Sequence, residues 1–348
     1  MLDYEELLNI PPYSFSQDEK DEKYLEWMHE LSVHHRDKCS EYKKICDVLE
    51  DDTPSLPVRL FKQYELRSIE CDDVIKTMTS SGTTGQQVSK IFLDRQTSAR
   101  QTKVLNKIVT NFISKKRMPM LIVDSSSVLK DRNMFSARGA GILGFSMLGR
   151  DITYALNENM DLNTPIIEEF LKKHTGEKIL LFGFTFIIWQ YLVQDLIKRG
   201  KSLDIDGIMI HGGGWKKLKD QSVGNDKFKA QVKEICGVDT VLNYYGMVEQ
   251  TGSIFMECPC GNLHASIFSD VIIRDPMDLS EKKKGRGLIE CRSIIQTSYP
   301  GHILLTEDEG EILGVDDCPC GRKGKYFAIY GRIKGSEIRG CSDTYEKR

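Results

Sequence analysis

From about residue 118 to 245 the chain alternates continuous apolar runs with amphipathic stretches, a texture that few folds accept. MPMLIVD at 118–124, KILLFGF at 178–184, IDGIMI at 205–210 and the following DTVLNYYG are apolar nearly throughout, without the alternation of a half-exposed strand. Between them lie TPIIEEFLKKH at 164–174, FIIWQYLVQDLIKRG at 186–200 and VGNDKFKAQVKEICG at 223–237, which carry helical periodicity. A strand that is apolar on both faces must be covered on both faces, so this pattern predicts an α/β fold built on a largely parallel sheet. After about residue 250 the texture changes to short strands, SIFME, DVIIRD, GLIECR and GEILG, separated by Gly and Asp turns. They predict a smaller antiparallel β region, continuous with the first because no Ser/Gly/Pro linker intervenes. The expected organisation is a helical region over 1–60, an α/β core over 61–250, a β-rich subdomain over 251–331 and a short tail over 332–348.

Several function classes are disfavoured by composition. The 348 residues hold 48 Lys+Arg against 51 Asp+Glu, a net charge of -3, which removes the basic balance expected of a nucleic-acid partner. The first twenty residues, MLDYEELLNIPPYSFSQDEK, show no basic segment followed by an apolar one, and ILLFGFTFIIW from Ile179 to Trp189 is too short to span a bilayer. A cytoplasmic protein without a membrane span is expected. Disulfides are not, and Cys39, Cys46, Cys71, Cys236 and Cys291 read as small buried or half-buried side chains.

Three segments offer a phosphate or nucleotide site. In TMTSSGTTGQQVSK, 77–90, the glycines let successive N–H groups converge on an anion, while Ser81, Thr83 and Thr84 add hydroxyl donors. The Gly-Lys-Ser/Thr of a Walker A loop is absent. IDGIMIHGGGWKK, 205–217, is a strand running into three glycines, which suits close approach of a ligand to the backbone, and a plain Gly-rich turn equally. LNYYGMVEQTG, 242–252, offers Tyr245 as a flat surface for a ring and Glu249 as a carboxylate for a hard cation such as Mg²⁺.

Two CPCG tetrapeptides present a separate chemistry. Cys258, Cys260, Cys318 and Cys320 can supply four thiolates to a tetrahedral Zn²⁺ in a closed structural site that pins two hairpins together. His264, in CGNLHAS, is an alternative ligand for one of them, and four reduced turn cysteines are the bland alternative.

Taken in order, SSGTTG, GGGW, NYYGMVEQTG, SDVIIRDP and GRIKGSEIRGC resemble the adenylate-forming superfamily. Within it they are similar to the LuxE-like acyl-protein synthetases, the fatty-acid protein ligases of the bacterial bioluminescence fatty acid reductase complex. The resemblance runs from about residue 75 to the C-terminus. It implies the large N-terminal domain of that superfamily, parallel sheets covered by helices plus a small antiparallel region, without the full C-terminal swinging domain. It also implies activation of a carboxylic acid, a fatty acid in this family, by Mg-ATP to acyl-AMP, with transfer to a cysteine and delivery to an acyl reductase.

Residue by residue, the resemblance assigns Ser80, Ser81, Gly82, Thr83, Thr84 and Gly85 to the loop that holds the ATP phosphates, with Lys90 as its trailing basic residue. Gly212, Gly213 and Gly214 would line the adenine and acyl pocket, Tyr245 would stack on adenine, Gly246 would admit the base, and Glu249 would ligate Mg²⁺. Asp308 would bind the ribose hydroxyls and Arg332 would lie near ribose and phosphates. Cys341, flanked by Gly340 with Arg339 and Lys334 nearby in sequence, would take the acyl group as a thioester. The chain departs from the superfamily in having GQQVSK where Pro and Lys usually follow the loop, and Val248 where a hydroxyl residue is common. An acyl- or aryl-CoA or carrier-protein ligase and a catalytically inactive nucleotide-binding subunit stay open as alternatives. FTFIIW and FSMLG suit a greasy pocket and a packed core equally.

Overall fold

The computed structural model describes residues 2–80, 87–129, 134–215 and 222–333. Helices α1 (Tyr4–Asn9), α2 (Gln17–Lys38) and α3 (Ser40–Leu49) come first, then the short strand β1 (Leu56–Pro57) and helix α4 (Leu60–Gln63). Ser16 and Glu19 form a reciprocal capping box that starts α2. Strands β2 (Lys76–Thr79) and β3 (Lys90–Leu93) precede α5 (Arg95–Val109), which Asp94 caps. Next come β4 (Met118–Ser125), β5 (Met134–Ser136), α6 (Ala137–Ser146), β6 (Gly149–Leu156), α7 (Thr164–Lys173) and β7 (Ile179–Phe184). A helical run follows, α8 (Thr185–Ile187), a π-helical turn at Ile188–Val193 and α9 (Gln194–Lys198). It is succeeded by β8 (Gly207–Gly212), α10 (Asn225–Cys236) and β9 (Thr240–Tyr245).

Strands β6, β4, β7, β8 and β9 lie side by side in parallel. Alternate residues of these strands enter two different cores, as their continuous apolarity requires. Met120, Ile122, Leu180, Phe182, Ile210 and Leu242 pack with α2, α5 and α6. Leu121, Val123, Ile179, Leu181, Met209 and Val241 pack with α7, α10 and the helical run after β7.

The antiparallel half is an extension of the same sheet. It comprises β10 (Phe255–Glu257), β11 (Leu263–His264), β12 (Ser269–Arg274), β13 (Gly287–Ser293), β14 (Ile303–Val315) and β15 (Lys325–Arg332). From β9 the order continues β10, β11, β15, β14, β13, β12, with β1 parallel to β14, giving twelve strands. This half is larger than the sequence pattern predicts: GEILG is only the end of a 13-residue strand, and GRIKG begins inside β15. A second sheet holds β3, β2 and β5. Cys71 corrects the expectation of buried thiols, since it is exposed on a short 3₁₀ turn, while Cys39, Cys46, Cys236 and Cys291 are buried.

Candidate active site

Strand β9 is where the sheet changes from parallel to antiparallel, and a strand end at such a change of direction is a natural ligand site. A small cavity opens there, lined by Ser80, Tyr245, Glu249, Asp308 and Arg332, with Val58, Thr306 and Glu307 completing its wall. These residues come from the end of β2, the end of β9 and the turn after it, and the facing strands β14 and β15. Asp308 and Arg332 are register partners across those two strands, which fixes one beside the other.

Arg59, Glu307, Asp308 and Arg332 form a paired ionic set. The Tyr245 hydroxyl donates to Asp308 Oδ2 at 2.7 Å. Arg332 places Nε 3.5 Å from Asp308 Oδ1 and Nη1 3.6 Å from Glu307 Oε2. Arg59 donates to Glu307 Oε1 through Nε at 3.1 Å and Nη2 at 2.6 Å. Two guanidinium groups thus face two adjacent carboxylates that are largely out of water, the condition under which such pairs hold their geometry. Glu249 is buried on the 3₁₀ turn Val248–Gln250. Burial, and then the Glu249 charge, push the nearby Tyr299 hydroxyl far up, so that phenol stays neutral. Carboxylate oxygens at Glu249 and Asp308 beside Arg332 are a donor set that fits Mg²⁺, a ribose diol and phosphate oxygens respectively.

Ser80 closes the base of the Ser/Thr/Gly loop: its N–H donates to Ser89 O at 3.1 Å, and its Oγ accepts from the Ser89 N–H at 2.9 Å. Ser81, Gly82, Thr83, Thr84 and Gly85 lie outside the described residues, as does Cys341. Lys90 does not join the cavity wall. It opens β3 half-exposed and pairs with Glu65 at 3.0 Å.

A larger cavity of about 210 Å³ adjoins the first, sharing Ala137, Met247 and Val248 with it. Its lining is mainly apolar: Met78, Leu105, Phe184, Tyr244, Ile254 and the face of α6 that carries Ala140, Gly141, Leu143, Gly144 and Phe145. Gly213, at φ +78°, and Gly246 also line it. Gly212 backs directly onto the Tyr244 ring, where a Cβ would lie 2.5 Å from Cε1, and buried Gly214 follows them in sequence. Phe145, Met147 and Phe184 from FSMLG and FTFIIW therefore reach the cavity, whereas Ile187, Ile188 and Trp189 are core.

Sequence reasoning missed Arg59 and Glu307. Glu307 had a visible signal, adjacency to Asp308 in TEDEGE, but Arg59 reaches the site only because β1 pairs with β14, which no local pattern announces. The CPCG segments need one correction. Cys258, Cys318, Cys320 and His264 bring their ligand atoms within 4.8 Å of one another, whereas Cys260 is exposed and outside the group. His264, fully buried on β11 and stacked on Tyr326 of the adjacent β15, takes the fourth place.

The fold is that of the adenylate-forming ligases. A 2-hydroxyisobutyryl-CoA ligase in the postadenylation state with R3-HIB-AMP superposes with a TM-score of 0.68 at 14% identity, over 93% of this chain and 69% of the ligase. An open conformation of that enzyme with 2-HIB-AMP and CoA gives 0.68 at 14% identity, over 93% and 77%. The sequence matches the profile of the LuxE acyl-protein synthetases over residues 3–348, and the chain belongs to that family. It is thus an AMP-forming ligase. Curated relatives are the long-chain-fatty-acid–luciferin-component ligase of Vibrio harveyi, 24% identical over 89% of this chain and 83% of that protein, and its counterpart from Aliivibrio fischeri, 23% identical over 95% and 90%. Among the described residues no helix is long and apolar enough to cross a membrane.

Proposed function

We propose that this protein activates a fatty acid with Mg-ATP, loads the acyl group onto its own Cys341, and delivers it to an acyl reductase in the cytoplasm. The observation that carries the reading is the convergence of Ser80, Tyr245, Glu249, Asp308 and Arg332 on one small cavity beside a mainly apolar one of about 210 Å³. Ionic and greasy cavities that share a wall suit a substrate whose carboxylate must meet a nucleotide while its chain leaves water. The names of the two curated relatives support a long-chain acid.

In the first step a carboxylate oxygen attacks the α-phosphorus of ATP, the bond to the β-phosphate oxygen breaks, and pyrophosphate leaves. Bound Mg²⁺, held by Glu249, would neutralise phosphate charge. Arg332 would meet negative charge developing near the phosphates, and Asp308 would accept from ribose hydroxyls, with Tyr245 holding its carboxylate in place. Ser80 anchors the loop that would carry phosphate contacts from Ser81 to Gly85, with Lys90 following it. In the second step the Cys341 thiolate attacks the acyl carbon, a thioester forms and AMP leaves.

The test is incubation of the purified protein with Mg-ATP and labelled tetradecanoate, followed by intact and peptide mass spectrometry. A hydroxylamine-labile acyl group on Cys341 is the expected result. Pyrophosphate release without an adduct would move the acceptor to CoA or a carrier protein. Release of no pyrophosphate with any fatty acid would overturn the adenylation reading.

A further inference from the structure

The group of three thiols and one imidazole, buried except for the half-buried Cys320, lies away from the nucleotide cavity, and the acyl-activation chemistry makes no use of it. We infer that Cys258, His264, Cys318 and Cys320 bind one Zn²⁺ as a closed structural site, with Cys260 outside the coordination sphere. This inference does not rest on the adenylation reading.

The spacing of the ligand atoms carries it. Zn–S bonds of about 2.3 Å at tetrahedral angles set sulfur atoms roughly 3.8 Å apart, and one Zn–N bond of about 2.0 Å sets nitrogen roughly 3.5 Å from sulfur. Cys258 Sγ and Cys318 Sγ are 3.9 Å apart, and His264 Nε2 is 3.3 Å from Cys320 Sγ. The sulfur pair is far beyond a disulfide bond, and all four atoms lie within 4.8 Å of one another. Four soft or borderline ligands without a carboxylate favour zinc over calcium or magnesium, and a complete set of four leaves no open position for substrate.

The backbone is shaped for it as well. Both CPCG segments close the same turn, Gly261 N–H to Cys258 O at 2.8 Å and Gly321 N–H to Cys318 O at 2.9 Å. Gly261 and Gly321 both take the left-handed conformation, at φ +77° and +79°. Around the ligands, the Asn262 side-chain amide donates to Cys318 Sγ at 3.5 Å, and Tyr13 and Tyr326 pack on the His264 ring. Outer contacts of this kind orient ligands.

The position says what the metal does. His264 pairs with Tyr326 near the start of β15, while Arg332 closes the nucleotide cavity at its other end. Six residues of extended chain separate them, about 20 Å at 3.3 Å per residue. The ion would staple the β10–β11 turn to the β14–β15 turn. It would also secure the N-terminal segment, since Lys323 N–H donates to Tyr13 O at 3.2 Å and Ile267 N–H to Pro12 O at 2.8 Å.

The experiment uses the full chain purified without added chelator. Elemental analysis should find one zinc per chain, and replacement by Co²⁺ should give the thiolate charge-transfer and tetrahedral d–d bands of a three-sulfur, one-nitrogen site. These need no variant. Cys318→Ser and His264→Gln should weaken zinc retention in a chelator competition by more than the about 10- to 100-fold typical of outer contacts, whereas Cys260→Ser should match the wild type. Absence of stoichiometric zinc together with failure to take up Co²⁺ would overturn the site. A four-sulfur cobalt spectrum, or loss of metal in Cys260→Ser with retention in His264→Gln, would overturn the ligand set.

Discussion

Asp308 accepts from Tyr245 and faces Arg332, so the carboxylate is already aimed before any ligand arrives. A hydrogen bond to a charged group is worth about 1.5–3 kcal/mol, or roughly 10- to 100-fold in affinity. Asp308→Ala should therefore raise the KM for ATP in a pyrophosphate-release assay by about that factor, and Tyr245→Phe by less, because the carboxylate survives. An unchanged KM in Asp308→Ala would remove the residue from the ribose site. Buried histidines set a different dependence. Burial, and then the Lys229 charge, hold His211 at about 3. Burial, then His34 and Arg292, hold His302 at about 3, and burial with His302 and His34 keeps His35 well below its ordinary value. All three are neutral when folded, while the unfolded chain takes up protons near pH 6.5. Below that pH the unfolded state binds more protons, so stability falls as pH drops, by up to about 1.4 kcal/mol per pH unit for each such group. Urea midpoints should decline from pH 7 to pH 5, and His211→Asn should flatten the slope.

Helix α6 turns a glycine-rich face toward the apolar cavity, and that face sets the room inside. A Cβ on Gly141 would stand 3.0 Å from Phe184 Cζ and 3.7 Å from the Tyr244 hydroxyl, and one on Gly144 would stand 2.9 Å from Leu105 Cδ2. If the cavity takes the acyl chain, Gly141→Val should move the preferred fatty acid to shorter chains in a pyrophosphate-release series, leaving the KM for ATP near wild type. An unaltered chain-length profile would exclude this helix from the acyl site. The parallel strands β4, β7, β8 and β9 were legible in the sequence because a strand buried on both faces shows as one unbroken apolar run. Strand β15 was not, since KYFAIYGR mixes apolar, glycine and basic residues and is held as a strand by pairing with β14 and β11. The same contrast holds for the site. Tyr245, Glu249, Asp308 and Arg332 sit in recognisable motifs, whereas Arg59 depends on the parallel β1–β14 contact, and the choice of His264 over Cys260 depends on which side chain the sheet buries.

Across the whole molecule, the N-terminal helices and the antiparallel half meet over a buried charge cluster that joins distant parts of the chain. Lys20 Nζ lies 3.0 Å from Asp270 Oδ1, and Lys325 Nζ lies 2.7 Å from Asp270 Oδ2. Gln17 adds a side-chain contact to Asp270 and accepts from the Lys325 N–H. Burial pushes the Asp270 carboxyl up, but the two ammonium charges and their hydrogen bonds outweigh it and hold the group at about 2. Its contribution is therefore fully present above the unfolded value near pH 3.8 and is lost as pH falls through about 2. Lys20 and Asp270 are both nearly inaccessible, with side chains 1% and 4% exposed, so removing Lys20 leaves a carboxylate that water cannot reach to Lys325 and Gln17. Lys20→Ala should cost part of the about 3–5 kcal/mol of a fully broken buried pair, read as a lower urea midpoint at pH 7. Lys325 also contacts Asp270 and is more accessible, with its side chain 15% exposed, so Lys325→Ala should cost less. Because β15 runs from Lys325 to Arg332 in the wall of the smaller cavity, the cluster braces the strand that closes that cavity. Lys20→Ala should accordingly also raise the KM for ATP, although Lys20 touches no residue of the cavity wall; a lower midpoint with an unchanged KM would show that the cluster supports folding alone.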